Sequence, residues 1–174
     1  MDTRTAYFDY AATTFMPDCV IDSINDYHRN INVAPNRGNT KISIRANDIF
    51  EESRNEIKNF FSGFKHELIF YPGATYAINA IVYGIEHIVE SMDIILMGPY
   101  EHHSNYLPWR ELALRKNAIA FEIPILSDGS LNVEYLQEIK ERIKIVVFSS
   151  VANTNGYEIS AKEMRKIFGE HVLY

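Results

Sequence analysis

Phe70–Asn79 reads FYPGATYAIN. The apolar run Leu68–Tyr71 is a strand signal, and Pro72-Gly73 interrupts it. Ala74 and Thr75 then open a pattern of helical spacing. Gly73 permits the tight strand-to-helix turn. A helix starting there aims its first N–H groups, together with the Thr75 hydroxyl, at one point. That point favours an anion such as a phosphate, because free N–H groups and the helix dipole act on it together. Read alone, the motif fits an ordinary turn capped by Thr75 equally well, since strand-glycine-helix junctions are common in α/β folds.

Apolar runs alternate with helical patterns on either side of this junction. Strands are expected at Glu67–Tyr71, Asp93–Met97, Ala118–Ile123, Lys144–Ser149 and His171–Tyr174. Helices are expected at Pro17–Asn32, Ile44–Phe61, Thr75–Glu90, Asn105–Lys116, Asn132–Arg142 and Ala161–Phe168. Such alternation predicts parallel βαβ units and an α/β fold. Pro17 suits a first helical position, Ser43 an N-cap, and Ser127-Asp128-Gly129 a turn. Residues 1–62 carry no convincing strand and read as an N-terminal arm with helices packed on a sheet domain of residues 63–174. The chain stops within the apolar run His171–Tyr174, so it is expected to be a piece of something longer. A sheet cut there would expose an edge and an apolar face, and would self-associate.

The bulk numbers narrow the function. The 174 residues are 47% hydrophobic, enough for a substantial core. A formal charge of −6 without a basic face argues against a nucleic-acid partner. An anion site must then be local, made of backbone and a few side chains. No run has the apolar length of a membrane span, and MDTRTAYFDY lacks the apolar stretch of a signal peptide. The single cysteine, Cys19, cannot form an internal disulfide, and the composition suits a reducing cytoplasm.

A second loop of interest is Glu101–Trp109, EHHSNYLPW, which follows Asp93–Met97 and Gly98-Pro99. His102 and His103 therefore fall on the C-terminal side of the sheet, as Thr75 does. One imidazole could stack on a ligand ring; a hydrogen-bonded loop histidine is the plainer reading. Glu101, His102 and His103 are also possible metal donors, but neighbouring residues rarely converge on one ion. A third loop, SSVANTNG, follows Lys144–Ser149, and its Asn153 has an amide suited to a ring oxygen or a substrate carboxylate. A turn asparagine before Gly156 is as good a reading of that residue alone. The convergence is what counts: three loops offer a phosphate binder, a ring face and an amide on the edge where such sheets bind ligands. Together they suggest a phosphorylated aromatic cofactor. Arg37 reads as a solvated loop charge, and Cys19 as a buried packing residue.

Five segments occur in order: FDYAATT (Phe8–Thr14), RGNTKIS (Arg37–Ser43), FYPGATYAIN, EHHSNYLPW and SVANTNG. The set resembles the class V aminotransferase family of pyridoxal-phosphate enzymes, nearest the cysteine desulfurases. The resemblance implies the large domain of a fold type I enzyme with a mostly parallel sheet. It also implies pyridoxal 5'-phosphate as cofactor, a small amino-acid substrate, and a homodimer or a complementing C-terminal half. It assigns the cofactor phosphate to Ala74 and Thr75, ring stacking to His102, and contact with the ring's phenolic oxygen to Asn153. Ala11, Ala12 and Thr40 fall on the substrate side. The sequence departs from the family at Thr40, where desulfurases often have histidine, and at Tyr10, where asparagine is common. The family's ring-nitrogen aspartate, Schiff-base lysine and mobile cysteine match nothing in this chain. The resemblance thus implies the N-terminal half of an enzyme that removes sulfur from L-cysteine, leaving alanine and an enzyme persulfide. A transaminase, lyase or epimerase of the same family, or a noncatalytic half-protein, is the alternative. By itself the chain is expected to be inactive.

Overall fold

Ile94–Met97 forms β1, four apolar residues each no more than 2% exposed. Side chains on a strand alternate between faces, so Ile94 and Leu96 enter one apolar cluster and Ile95 and Met97 another. A strand buried on both faces belongs at the centre of a parallel sheet. The computed structural model describes residues 6–10, 12–61, 67–132, 134–169 and 172–174, and in it β1 is flanked by β2 (Ile119–Glu122) and β3 (Ile143–Val147). Strand order is β2-β1-β3, all parallel. A bulge puts the extra residue Lys144 between the pairs Ile94–Ile143 and Ile95–Ile145. Ile143 and Val146 therefore share one cluster, and Ile145 and Val147 the other.

The helices follow from the same patterning. They are α1 (Asp18–Asn30), α2 (Lys41–Phe60), α3 (Ala74–Ile85), α4 (His103–Lys116) and α5 (Ala161–Phe168). Val82 of α3 and Trp109, Leu112 and Ala113 of α4 cover one face of the sheet. Met164 and Phe168 of α5 cover the other, with Leu136 from a 3-10 helix over Glu134–Arg142. α4 ends at Asn117 in the left-handed region (φ 52°), which asparagine tolerates better than most residues.

The chain divides into two units, Met1–Phe70 and Tyr71–Tyr174. The first holds α1 and α2. Thr40, not Ser43, caps α2: its hydroxyl accepts the Ser43 N–H at 3.2 Å and lies 2.8 Å from the Ser43 hydroxyl. Ser43 itself is buried in the first turn. Gly38 lets the preceding loop close over it, because a Cβ there would stand 2.8 Å from Ser43 Oγ. Tyr7, Tyr10 and Phe15 form an aromatic cluster with centroids 4.8–6.2 Å apart.

Several sequence expectations need correction. Glu67–Tyr71 is not a strand: no described strand pairs with it, and Ile69 is 68% exposed. A lone extended segment has no ladder for its hydrogen bonds, so apolar content alone cannot make it a strand. The last expected strand is reduced to one parallel bridge, Ile145–Leu173; His171 lies outside the described residues. The helix expected over Asn132–Arg142 is 3-10, and Cys19 is exposed rather than buried.

Removing side-chain volume from the sheet–α4 interface should be costly. Leu112→Ala, at a fully buried site, is expected to lower unfolding free energy by about 2–5 kcal/mol in denaturant titration. Leu114→Ala, on the 65%-exposed face of the same helix, should stay within about 0.5 kcal/mol.

Candidate functional site

α3 starts at Ala74 without a side-chain cap, so its leading N–H groups are open to an outside acceptor. Gly73 is not required for backbone freedom. It is extended (φ 164°, ψ 170°), and a Cβ there would meet nothing within 4 Å. Thr75 is exposed beside those N–H groups, and its carbonyl accepts the Asn79 side-chain N–H at 2.8 Å.

His102 stands across a cavity of about 460 Å³ from Thr75. It is the N-cap of α4: Nδ1 accepts the Ser104 N–H at 3.1 Å and lies 2.8 Å from the Ser104 hydroxyl. An imidazole nitrogen here takes the part usually played by a Ser, Thr, Asp or Asn oxygen, so α4 begins two residues before the expected Asn105. Nδ1 is held as an acceptor, which leaves the neutral ring's proton on Nε2. His103, Ser104, Leu107 and Pro108 line the same wall. Arg115 is the cation of the lining; it pairs with Glu86 at 3.2 Å and lies 4.9 Å from the Tyr83 ring centroid.

Thr75 and His102 therefore share one cavity, with Ala74 immediately before Thr75. Asn153 is not part of its wall. It lies in an exposed turn beyond β3, on the same C-terminal edge of the parallel sheet. Ala12 and Thr40 belong to the first unit, where the Ala12 N–H bonds the Asp9 carbonyl at 3.1 Å and Thr40 caps α2. Ala11 lies outside the described residues. Among the described residues no group of three His, Cys, Asp or Glu could hold a metal ion, and no helix is long and apolar enough to cross a membrane.

Sequence reasoning missed the polar bracing behind His102. The Glu101 carboxylate takes hydrogen bonds from Ser149 and Asn105, and the Asn105 side-chain Oδ1 accepts the Trp109 indole N–H at 3.2 Å. The repeated four-residue step Glu101, Asn105, Trp109 was the available signal.

Comparisons with known proteins place the chain in a family. The family model for aminotransferase class-V matches residues 6–173, and the chain belongs to that family. Probable cysteine desulfurases are among its relatives. One from Halalkalibacterium halodurans is 35% identical over 95% of this chain and 41% of its own length. Another from Staphylococcus aureus is 35% identical over 88% of this chain and 38% of its own length. An apo cysteine desulfurase from Thermococcus onnurineus NA1 superposes with a TM-score of 0.84 at 29% identity, over 93% of this chain and 40% of that one. A NifS-like protein gives a TM-score of 0.80 at 23% identity, over 93% of this chain and 44% of that one, a likeness of fold. The chain spans about 40% of the length of the relatives it matches, and its parallel sheet with flanking helices matches the N-terminal part of the cysteine desulfurase fold.

A further contact ties α4 to the sheet. Tyr106 donates to Glu122, the last residue of β2, at 2.6 Å. That hydrogen bond first, then burial and the Glu122 charge, raise the phenol pKa above its usual value, opposed by Arg110. A raised phenol pKa favours the folded state below the unfolded value of about 10, and that contribution fades as pH rises through the folded value. Glu122→Gln should move the Tyr106 titration back down, as followed by NMR of its ring carbons; an unmoved titration would contradict the assigned cause.

Proposed function

We propose that this chain supplies the N-terminal part of a cysteine desulfurase-like enzyme that uses pyridoxal 5'-phosphate. The observation that carries the reading is the pairing, across one cavity of about 460 Å³, of the uncapped start of α3 at Ala74-Thr75 with the oriented His102 ring. These residues fit the cofactor: bare N–H groups and a hydroxyl suit a phosphate, and a neutral imidazole suits the face of a pyridine ring. When bound, the cofactor supplies an electron sink for negative charge at the substrate's α carbon. Ala74 and Thr75 would hold its phosphate through backbone N–H groups and the Thr75 hydroxyl. His102 would lie against the ring, oriented by its bond to Ser104. Asn153 would offer its amide to the ring oxygen.

The substrate we infer is L-cysteine, its sulfur leaving as an enzyme persulfide and its carbon skeleton as alanine. That step needs an amine to hold the cofactor and a thiolate to take the sulfur. The cavity wall offers neither among the described residues, so this chain by itself should bind cofactor without turning substrate over. A complementing C-terminal polypeptide would supply both; a homodimer, the other assembly the resemblance implies, would add neither if made of this chain alone. Support for complementation comes from an apolar groove of about 1,110 Å³ beside β3, lined by Ile78, Ile81 and Ile85 of α3 and by Leu173. The enzyme would operate in the cytoplasm.

Equilibrium binding separates the parts of this reading. Pyridoxal 5'-phosphate should bind at least about 10-fold more tightly than pyridoxal, since phosphate recognition is charge-assisted. Thr75→Ala should weaken binding about 5-fold, the value of one hydrogen bond. His102→Asn keeps an N-cap but removes the ring, and should also weaken it. Borohydride treatment and mass mapping should find no single modified lysine. Equal binding of the two vitamers would sink the phosphate assignment, and one specific lysine adduct would refute the inactivity of the isolated chain.

A further inference from the structure

Glu101 immediately precedes His102 but is not among the side chains lining the cavity. Its carboxylate turns instead to the end of β3. Oε1 accepts the Ser149 backbone N–H, while Oε2 accepts the Ser149 hydroxyl at 2.9 Å and the Asn105 side-chain N–H at 2.7 Å. The two bonds from Ser149 are charge-assisted bonds across 48 residues of sequence, between the loops that leave two neighbouring parallel strands. Gly98 makes the seat possible: a Cβ there would lie 2.8 Å from Glu101 Oε1 and 3.3 Å from Phe148 Cβ. Asn105 cannot turn its amide over without cost. Its oxygen accepts the buried Trp109 N–H, and a flipped amide would set that oxygen against the carboxylate and lose the indole bond.

We propose that Glu101 is a positioning residue, a clasp that joins the β1 loop to the β3 loop and fixes the backbone from which His102 presents its ring. This rests on the reading of His102 as the ring contact. A carboxylate is specified at this position because every hydrogen bond is directed toward it. Glutamine would keep one acceptor and set an N–H₂ group against the N–H₂ of Asn105. Changing Asn105 to aspartate in that background restores the match: the glutamine N–H donates to one aspartate oxygen, and the other still accepts from Trp109. The exchange also leaves net charge unchanged.

The test uses the full 174-residue chain with E101Q, N105D and the double variant E101Q/N105D. Nitrogen NMR of the His102 imidazole reads ring placement directly. Titration with pyridoxal 5'-phosphate and, separately, with inorganic phosphate divides ring from phosphate contributions. The expected pattern for E101Q is a shifted or averaged His102 signal and about 10-fold weaker pyridoxal 5'-phosphate binding, on the scale of one charged hydrogen bond. Inorganic phosphate binding should not change, and the double variant should recover both lost properties. Two results would overturn the clasp: an E101Q protein whose His102 signal is unmoved, or one that loses both affinities in step with thermal stability and gains nothing from N105D. If the unsubstituted chain binds no pyridoxal 5'-phosphate, the cofactor reading fails, and the His102 signal with its rescue still decides the clasp.

Discussion

Everything described in the second unit depends on the burial of β1. Four consecutive apolar residues lose both faces and both edges to protein, so the strand has one position and one direction available to it. Fully burying such side chains contributes about 1.5–3 kcal/mol each, against which a shifted register would expose some of them. Because β2 and β3 run parallel to β1, every loop leaving a strand end emerges on the same side. The loops carrying His102 and Asn153 leave β1 and β3 on that one side because the core has left them nowhere else to go.

On that edge, two helix starts face one cavity and differ in one respect. α4 is closed by its own sequence, with His102 Nδ1 taking an N–H that would otherwise be free. α3 has no side-chain cap, and its first residues are exposed. A closed start spends its donors internally and gains a fixed side chain; an open start keeps its donors for a ligand. The chain carries a formal charge of −6, so long-range attraction does not draw an anion in. Recognition of an anion would instead have to come from short-range backbone donors, and the open start is where the fold provides them.

Legibility in the sequence followed the range of the forces involved. Asp93–Met97 and Lys144–Ser149 were readable because burial on both faces leaves an apolar run, and Ala118–Ile123 because its half-buried strand is still mostly apolar. Glu67–Tyr71 has the same local appearance, yet a strand also needs a partner, which local composition cannot reveal. Thr75 was readable as a candidate because it opens a helix, and His102 because it lies between a strand end and a helix start. The His102 cap was not, because histidine is a rare cap and its role depends on Ser104 two residues on. Cys19 was misread because its apolar helical neighbours, Val20, Ile21 and Ile24, are themselves exposed.

The remaining question is why the bracing behind His102 should be polar when the core a few ångströms away is apolar. An apolar contact resists compression but tolerates sliding, and side chains of similar volume substitute for one another with modest loss. A carboxylate receiving three directed hydrogen bonds tolerates neither displacement nor rotation without leaving a donor unmatched. The core fixes the height of the loops above the sheet; a directional network fixes the setting of one loop against the other. A ring contact depends on that setting more steeply than a phosphate contact does, since a tetrahedral anion can be met from many directions and a planar ring from two. The sequence places its directional bonds beside the histidine and leaves the start of α3 to bare backbone, which is the allocation this difference in tolerance would call for if the proposed cofactor binds there.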